Sequence, residues 1–382
     1  MKKQKFRIMS MALTAMLCFS SAGCALFKKS GVSDSNMEMP IEIIAPNGEV
    51  FPYIDDAKLY LLAPASMDNV KDYCAPFGGC LNPNKPITLK WECESKENIT
   101  SITLEYGLAN AENPVKVVLS GDAKSYDLYN LYKASEYVWS VTAQSANGKQ
   151  WTMKSSFTTT DLGPRVIKVD GIYNVRDVGG YITDEGKRTV QGLLYRGGSL
   201  LPADVYDSKL TEEGARVMSE VLGIKTELDV RGKGAESGEV EKSPIPNADL
   251  EYIHISGYSD CFTMQENYRQ VFSLLADKNR YPIYFHCTGG ADRTGTVAFL
   301  VNALLGVSED DLIHDYEFTS FSRYGERNAF QGKYSEYFIP FYETLNTYAG
   351  KNLKEKVESY LLSIGVTQAE IASIRAILNG EK

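Results

Sequence analysis

The chain has 382 residues, 43% of them hydrophobic, with 40 basic against 49 acidic residues and a formal net charge of −9. At roughly 100 to 200 residues per domain, this length predicts two domains. The acidic balance argues against a general nucleic-acid binder, because phosphate backbones need a basic footprint. Any anion site must therefore be local.

The N-terminus has the pattern of a secretory signal peptide over residues 1–24. A basic start is followed by an apolar run from Ile8 to Phe19 and then by small residues. This run is shorter than the roughly 20 residues that cross a bilayer, which disfavours a permanent transmembrane helix. The sequence Ser-Ala-Gly before Cys24 resembles a bacterial lipobox, which implies lipidation of Cys24, with ordinary cleavage and no lipid as the alternative. We expect an exported lipoprotein attached to the cell membrane or cell surface.

The cysteines suggest redox chemistry rather than metal binding. Cys74 and Cys80 flank the turn-forming sequence Ala-Pro-Phe-Gly-Gly, and an exported chain meets oxidising conditions, so a small disulfide loop is one possibility that their spacing leaves open. No cysteine and histidine grouping has the spacing of zinc ligands. We therefore expect no metal and no other cofactor.

Two regions follow the signal and differ in hydrophobic pattern. Residues 25–40 are polar and lack periodicity, as in a tether, and residues 41–160 contain short alternating runs separated by turn residues. This alternation predicts an antiparallel all-β sandwich. Residues 80–160 resemble the last strands of a fibronectin type III domain, in which Tyr137 and Trp139 would be core residues. Such a domain would act as a spacer or a docking module.

From residue 164 to residue 382 the sequence alternates helical stretches with apolar strands. Helix-like LTEEGARVMSEVLG precedes IKTELDV, and ENYRQVFSLLADK precedes YPIYFHC. Strands separated by helices predict an α/β domain with a mostly parallel central sheet flanked by helices. Three further helices are predicted towards the C-terminus, and Thr367 with Glu370 forms a capping box for the last one.

The sequence YPIYFHCTGGADRTG combines the parts of a phosphate site. It places Cys287 after an apolar strand and Arg293 at the start of a helix. Gly289 and Gly290 permit the backbone nest that cradles a tetrahedral anion, together with the amides of the neighbouring loop residues Thr288 and Ala291. The helix directs its positive end at the same anion, and Arg293 adds a planar fork for two phosphate oxygens.

The same loop predicts nucleophilic catalysis. The positive nest favours the thiolate of Cys287, which is the nucleophilic form. We interpret His286 as a support of the loop, and Thr294 as a hydrogen-bond donor to the sulfur. Asp292 is the nearest carboxyl group that can protonate the leaving oxygen.

Asp229, after the strand IKTELDV, is the second candidate for the acid. Arg231 and Glu236 follow at the sheet edge where parallel sheets bind ligands, and a supporting role or a substrate contact is equally expected for both.

The loop resembles the signature of the cysteine-dependent protein tyrosine phosphatases: His-Cys, five residues, Arg, then Thr-Gly. Two other stretches resemble motifs of the bacterial tyrosine/serine phosphatases: DGIYNVRDVGGYITDEGKRTVQGLLYRGGSL and GIKTELDVRGKGAESG. Together the resemblance covers residues 164–382. It implies that Asp292 is the general acid. Ala291 stands where that family often has a lysine associated with phosphoinositides, which argues against such substrates.

Several other polar residues are expected to have structural roles. Asn174, Arg176, Asp177 and Arg196 could shape the entrance of the site, but they are expected chiefly to hold turns. His254 is expected to pack within a strand. Cys261 is expected to be a buried thiol, with a redox partner for Cys287 as the alternative.

The sequence thus predicts a phosphate monoester hydrolase acting through a cysteinyl-phosphate, with phosphotyrosine as leading substrate and phosphoserine as another. One alternative is an inositol-phosphate or phosphoinositide phosphatase, and a second is a surface binding module on an inactive phosphatase scaffold. The expected partners are a phosphoprotein or small phosphate monoester and, through the lipid anchor, a bilayer, but no nucleic acid.

Overall fold

The computed structural model describes residues 40–65, 69–74, 82–202, 208–234, 236–237 and 240–380. The predicted signal peptide, Cys24, nearly all of the tether and Cys80 lie outside the described residues. Within these ranges, no helix is long and apolar enough to cross a membrane.

Residues 41–159 form two β-sheets. A three-stranded sheet has the order β1-β3-β6, and a five-stranded sheet has the order β2-β8-β7-β4-β5. The strands are β1 (Ile41–Ala45), β2 (Gly48–Val50), β3 (Ile87–Cys93), β4 (Ile99–Leu108), β5 (Val115–Ser120), β6 (Ser125–Leu128), β7 (Glu136–Ser145) and β8 (Gln150–Thr159). Every second residue of β7 from Tyr137 to Ala143 is buried, because successive side chains of a strand point to opposite faces.

This region differs in two ways from the predicted antiparallel, all-β pattern. Strand β2 pairs in parallel with β8. Between β2 and β3 the chain also forms helix α1 (Asp55–Leu62), whose buried residues pack with Phe318 and Phe321 of the C-terminal half of the chain. The helix escaped prediction because its apolar face is completed by residues more than 250 positions away.

Residues 176–286 contribute a five-stranded sheet of order β12-β11-β13-β10-β9. Its strands are β9 (Arg176–Asp177), β10 (Leu194–Gly197), β11 (Thr226–Asp229), β12 (Asp249–Tyr252) and β13 (Ile283–His286). The pairs among β10, β13, β11 and β12 are parallel, whereas β9 is antiparallel to β10. The predicted α/β region with a mostly parallel sheet is therefore confirmed.

Seven α-helices accompany this sheet in the part of the chain that the structure describes. They are α2 (Glu212–Arg216), α3 (Gln265–Leu275), α4 (Asp292–Leu305), α5 (Glu309–Glu317), α6 (Gly332–Leu345), α7 (Leu353–Ser363) and α8 (Gln368–Asn379). Helix α4 is buried at every residue from Thr294 to Leu305, which fixes its N-terminus beside the end of β13. The predicted capping box of Thr367 and Glu370 begins α8.

Candidate active site

Strand β13 ends at His286, and helix α4 begins at Asp292, so residues 287–291 form a tight loop between them. Gly290 has a φ of +65°, and a Cβ atom there would lie 2.2 Å from the carbonyl oxygen of Gly197. At Gly289 a Cβ atom would lie 3.1 Å from the ring of Tyr324. The fold therefore requires glycine at position 290 and leaves little room at position 289.

Donors outside the loop hold its carbonyl oxygens. The Thr288 oxygen accepts from the backbone N–H of Ser199 (3.0 Å), and the Gly289 oxygen accepts from Asn174 Nδ2 (3.0 Å). The Gly290 oxygen accepts from Arg196 Nη2 (2.8 Å). Because successive carbonyl groups point outwards, the amide groups of the loop turn towards its centre, as in an anion-binding nest.

Cys287 lies at the base of this loop with 3% of its surface exposed. Burial disfavours the thiolate, but the charge of Arg293 and the hydroxyl and backbone N–H of Thr294 outweigh it, so the pKa of Cys287 falls below its ordinary value. The structure thus brings Arg293 and Thr294 together beside the thiol of Cys287.

The guanidinium group of Arg293 forms a two-point contact with the carboxylate of Glu236. Arg293 Nη1 donates to Glu236 Oε2 (3.1 Å), Nη2 donates to Oε1, and the Thr288 hydroxyl donates to Oε1 (2.7 Å). These contacts lower the pKa of Glu236 to about 2. A carboxylate therefore occupies the fork that was predicted to bind two phosphate oxygens.

His286, for which a supporting role was predicted, contacts the first residue of the loop. It is fully buried; its Nε2 lies 2.9 Å from Glu227 Oε1, and its Nδ1 lies 3.1 Å from the carbonyl oxygen of Cys287. Both partners only accept, so both ring nitrogens donate. Burial opposes the charged ring, but Asp229 and Glu227 outweigh burial and raise the pKa of His286. Glu227 was not predicted, although its spacing of two residues from Asp229 in β11 places both side chains on the same face of the sheet.

Asp292 is held from two sides. Its Oδ1 accepts from Arg327 Nε (2.7 Å) and from the Tyr258 hydroxyl (2.5 Å), and its Oδ2 accepts from Arg327 Nη2 (3.1 Å). Its side chain remains 36% exposed. The first candidate acid therefore has a fixed orientation at the mouth of the loop.

Asp229, the second candidate acid, is only 2% exposed and is bound by Arg231 through Nε (2.9 Å) and Nη2 (2.6 Å). Burial opposes ionisation, but His286 and Arg231 outweigh it, so the pKa of Asp229 lies below its ordinary value. Both candidate acids are ion-paired, but only the carboxylate of Asp292, at 36% exposure, is open to a bound substrate, which favours Asp292. Arg231 also donates through Nη1 to the carbonyl oxygen of Glu236 (2.8 Å), so its contacts support the site.

A buried ion-pair network lies under the loop. Asp315, on α5, accepts from Arg176 Nε (2.8 Å) and from Arg196 Nη1 (2.5 Å). Burial and the charge of Arg176 lower the pKa of Arg196 to about 10. The expectation that these arginines chiefly hold turns was incomplete, because Arg196 also binds the carbonyl oxygen of Gly290. Asp177 holds the turn at Gly179 by accepting from its backbone N–H (2.9 Å), as expected, and also binds Arg165 (2.8 Å).

Two other predictions concern residues beside the site. His254 does not pack within a strand: it lies past the end of β12, exposed, with Nδ1 2.6 Å from the carbonyl oxygen of Arg231. The strand pairing stops at Tyr252, so the side chain leaves the sheet. Cys261 is a buried thiol, as expected, and burial raises its pKa to about 12.

The comparison with protein families agrees with this geometry. Residues 167–380 match the model of the tyrosine phosphatase family, which is more than half of the chain. The chain therefore belongs to the tyrosine phosphatase family.

Individual relatives are more distant. The chain is 28% identical over 179 residues to a protein of Cupriavidus necator named as a tyrosine-protein phosphatase, covering 40% of this chain and 63% of that protein. It is 37% identical over 65 residues to a tyrosine-protein phosphatase of Nostoc commune, covering 17% and 20%. The chain thus spans less than two thirds of the length of these curated relatives. Among solved structures, the core catalytic domain of the PP-IP phosphatase Siw14 from S. cerevisiae aligns at 15% identity with a TM-score of 0.29, covering 51% of this chain and 88% of that one.

Proposed function

We propose that this chain hydrolyses phosphate monoesters through a cysteinyl-phosphate intermediate, with phosphotyrosine as the leading substrate. The observation that carries the proposal is the Cys287 thiol, whose pKa is lowered by Arg293 at the base of a loop with outward carbonyl groups. Family membership supports the choice of phosphotyrosine. Phosphoserine and inositol phosphates are the competing substrates.

In the first step the Cys287 thiolate attacks phosphorus, an S–P bond forms, and the P–O bond to the leaving group breaks. Asp292 supplies the proton that the leaving oxygen takes. In the second step water attacks phosphorus, the S–P bond breaks, and Asp292 recovers a proton from that water. Inorganic phosphate and the thiolate are the products, and Arg293 with the loop amides stabilises the phosphoryl oxygens in both steps.

We further propose that the chain is exported and anchored to a membrane through lipidated Cys24, and that residues 41–160 are a fibronectin type III-like module. The basic, apolar and small-residue pattern before Cys24 supports the anchor. The two sheets packed around Trp91 and Trp139 support the module. Mass spectrometry of the native membrane fraction would reveal the lipid as added mass on an N-terminal peptide that begins at Cys24.

The activity is tested by phosphate release from a phosphotyrosine peptide, a phosphoserine peptide, a phosphoinositide and inositol hexakisphosphate, with chelator and reductant present. We expect the highest kcat/KM on the phosphotyrosine peptide. Cys287→Ser should lose at least ~10³-fold, because serine has no thiolate at working pH. Cys93→Ser, which removes a partly buried thiol in β3, is the matched control and should retain activity.

Three other results would change the proposal. Faster release from inositol hexakisphosphate would replace phosphotyrosine by an inositol phosphate as the substrate. Turnover that survives in Cys287→Ser would contradict the cysteinyl-phosphate mechanism. Absence of turnover on all four substrates, with phosphopeptide binding retained, would favour a binding module.

A further inference from the structure

The chain segment between β2 and β3 leaves the two N-terminal sheets and packs on residues of the region 167–380, which matches the tyrosine phosphatase family. We call residues 51–86 the insert; residues 66–68 and 75–81 of it lie outside the described residues. The Tyr53 hydroxyl is 2.7 Å from the carbonyl oxygens of both Leu162 and Pro164, where the chain passes from one region to the other. Buried residues of the insert then form one apolar cluster with the other region: Tyr53, Ala57, Tyr60, Leu61 and Val70 against Val166, Phe318 and Phe321.

Two polar side chains of the insert, Asn69 and Tyr60, connect to a single loop beyond this cluster. Residues 322–331, which we call the Arg327 loop, connect Phe321 to α6. Asn69 Oδ1 accepts from Asn328 Nδ2 (2.7 Å), and Asn69 Nδ2 donates to Gln331 Oε1 (3.1 Å). One asparagine of the insert therefore bonds to two positions of the Arg327 loop.

A second connection runs through a buried carboxylate. The Tyr60 hydroxyl of α1 donates to Glu317 Oε2, and Glu317 Oε1 accepts from the backbone N–H of Ala329 (2.7 Å). Glu317 is only 1% exposed, so water does not compete with these bonds. The insert thus reaches the Arg327 loop at positions 328, 329 and 331, immediately after Arg327.

Arg327 connects these contacts of the insert to Asp292 of the catalytic site. It is 5% exposed, and its backbone N–H donates to the Ser320 hydroxyl (2.8 Å). Its Nη1 donates to the carbonyl oxygens of Tyr324 (3.2 Å) and Glu326 (3.1 Å), which fixes the guanidinium plane. The remaining edge, Nε and Nη2, forms the fork on Asp292 described above.

We propose that Arg327 is a positioning residue for Asp292, and that the insert keeps it in place through Asn69 and Tyr60. The inference rests on the proposed hydrolysis, in which Asp292 must lie within ~2.6–3.2 Å of the leaving oxygen. Asp292 is partly exposed, and without the fork its side chain gains other rotamers. A displacement of about 1 Å can cost ~10²-fold in rate. The insert then helps to position a catalytic residue, so the N-terminal region does more than act as a spacer.

The test uses the full chain and two substrates that differ in their need for an acid. Phenyl phosphate releases a phenolate with a pKa near that of tyrosine, about 10, whereas nitrophenolate departs from p-nitrophenyl phosphate without a proton. We expect Arg327→Met to lower kcat on phenyl phosphate ~10²-fold and on p-nitrophenyl phosphate far less. Arg327→Lys, which retains the charge but not the fork, should recover part of that difference. Asn69→Ala should show the same selective loss at ~5-fold.

The matched control is Asn279→Ala, because Asn279 is exposed and its side chain binds only Asp277 among the described residues. Its ratio of the two rates should equal that of the wild type. Thermal unfolding reports folding, and if Arg327→Met does not fold, the milder Asn69→Ala decides. Equal losses on both substrates, or no loss, would overturn the positioning role. A wild type without Cys287-dependent turnover on either substrate would instead remove the proposed function, and this inference with it.

Discussion

Ion pairs between arginine and a carboxylate lie on either side of the catalytic loop, in different surroundings. Under the loop, Asp315 is 7% exposed and joins Arg176 and Arg196, which are 1% and 0% exposed. Above it, Glu236 is 47% exposed and joins Arg293, which is 19% exposed. Water can replace the contacts of the upper pair at little cost, but it cannot reach the lower network.

This difference in exposure gives the two sets of ion pairs different roles, one in stability and the other in phosphate binding. Removing one partner from a buried ion pair leaves an uncompensated charge, which costs several kcal/mol. An exposed pair contributes ~1 kcal/mol or less, so an incoming phosphate can displace Glu236 and take the Arg293 fork. The lower network therefore holds the loop, and the upper pair keeps the fork oriented until an anion arrives.

Asp315→Asn breaks the lower network and should have the largest effect. It leaves two buried guanidinium groups without a carboxylate, and we expect a loss of ~3–5 kcal/mol in the free energy of unfolding, measured by urea denaturation. Glu213→Gln, which breaks an exposed pair with Arg216, is the matched control and should unfold close to the wild type. A similar midpoint for both variants would show that the two kinds of pair do not differ.

The charge of Arg293 and the planar geometry of its guanidinium group can be tested separately. Arg293→Lys keeps the charge and should lower kcat/KM ~10²-fold, because an ammonium group cannot bind two phosphate oxygens in a plane. Arg293→Met also removes the main charge that lowers the pKa of Cys287. The pKa of the thiol then rises, so the midpoint of iodoacetamide reaction at Cys287 moves to higher pH in Arg293→Met and much less in Arg293→Lys. An unchanged midpoint in Arg293→Met would contradict the assigned cause.

Glu236→Gln tests the upper pair and should have the smallest effect. Because the pKa of Glu236 is about 2, its carboxylate is charged at any working pH and competes with phosphate for the fork. We expect inorganic phosphate to inhibit Glu236→Gln ~3-fold more strongly than it inhibits the wild type. Glu241→Gln, at a neighbouring exposed position, is the control, and phosphate should inhibit it as strongly as it inhibits the wild type. Weaker inhibition in Glu236→Gln would mean that the carboxylate orients Arg293 more than it blocks it.

The two missed helices α1 and α6 have a common cause. Helix α6 escaped prediction because Pro340 interrupts its pattern, yet the helix is kept by aromatic packing on α4, including Phe338 against Phe299. Helix α1 packs against Phe318 and Phe321, which lie far along the chain. In both cases the stabilising surface belongs to another element, so local propensity alone gives the wrong answer.

The sequence by itself determined the chemical core of the site. Cys287, the glycines, Asp292 and Arg293 lie within seven consecutive residues between an apolar strand and an apolar helix, so covalent geometry sets their spacing. Alternation of strands and helices likewise determined the mostly parallel sheet.

Only the tertiary structure decided which charges surround that core. Arg327 lies 35 residues after Asp292, Glu236 lies 57 residues before Arg293, and Asp315 lies 139 residues after Arg176. No periodicity connects such positions, because ion pairs depend on where packed elements place their side chains and on how much water burial removes.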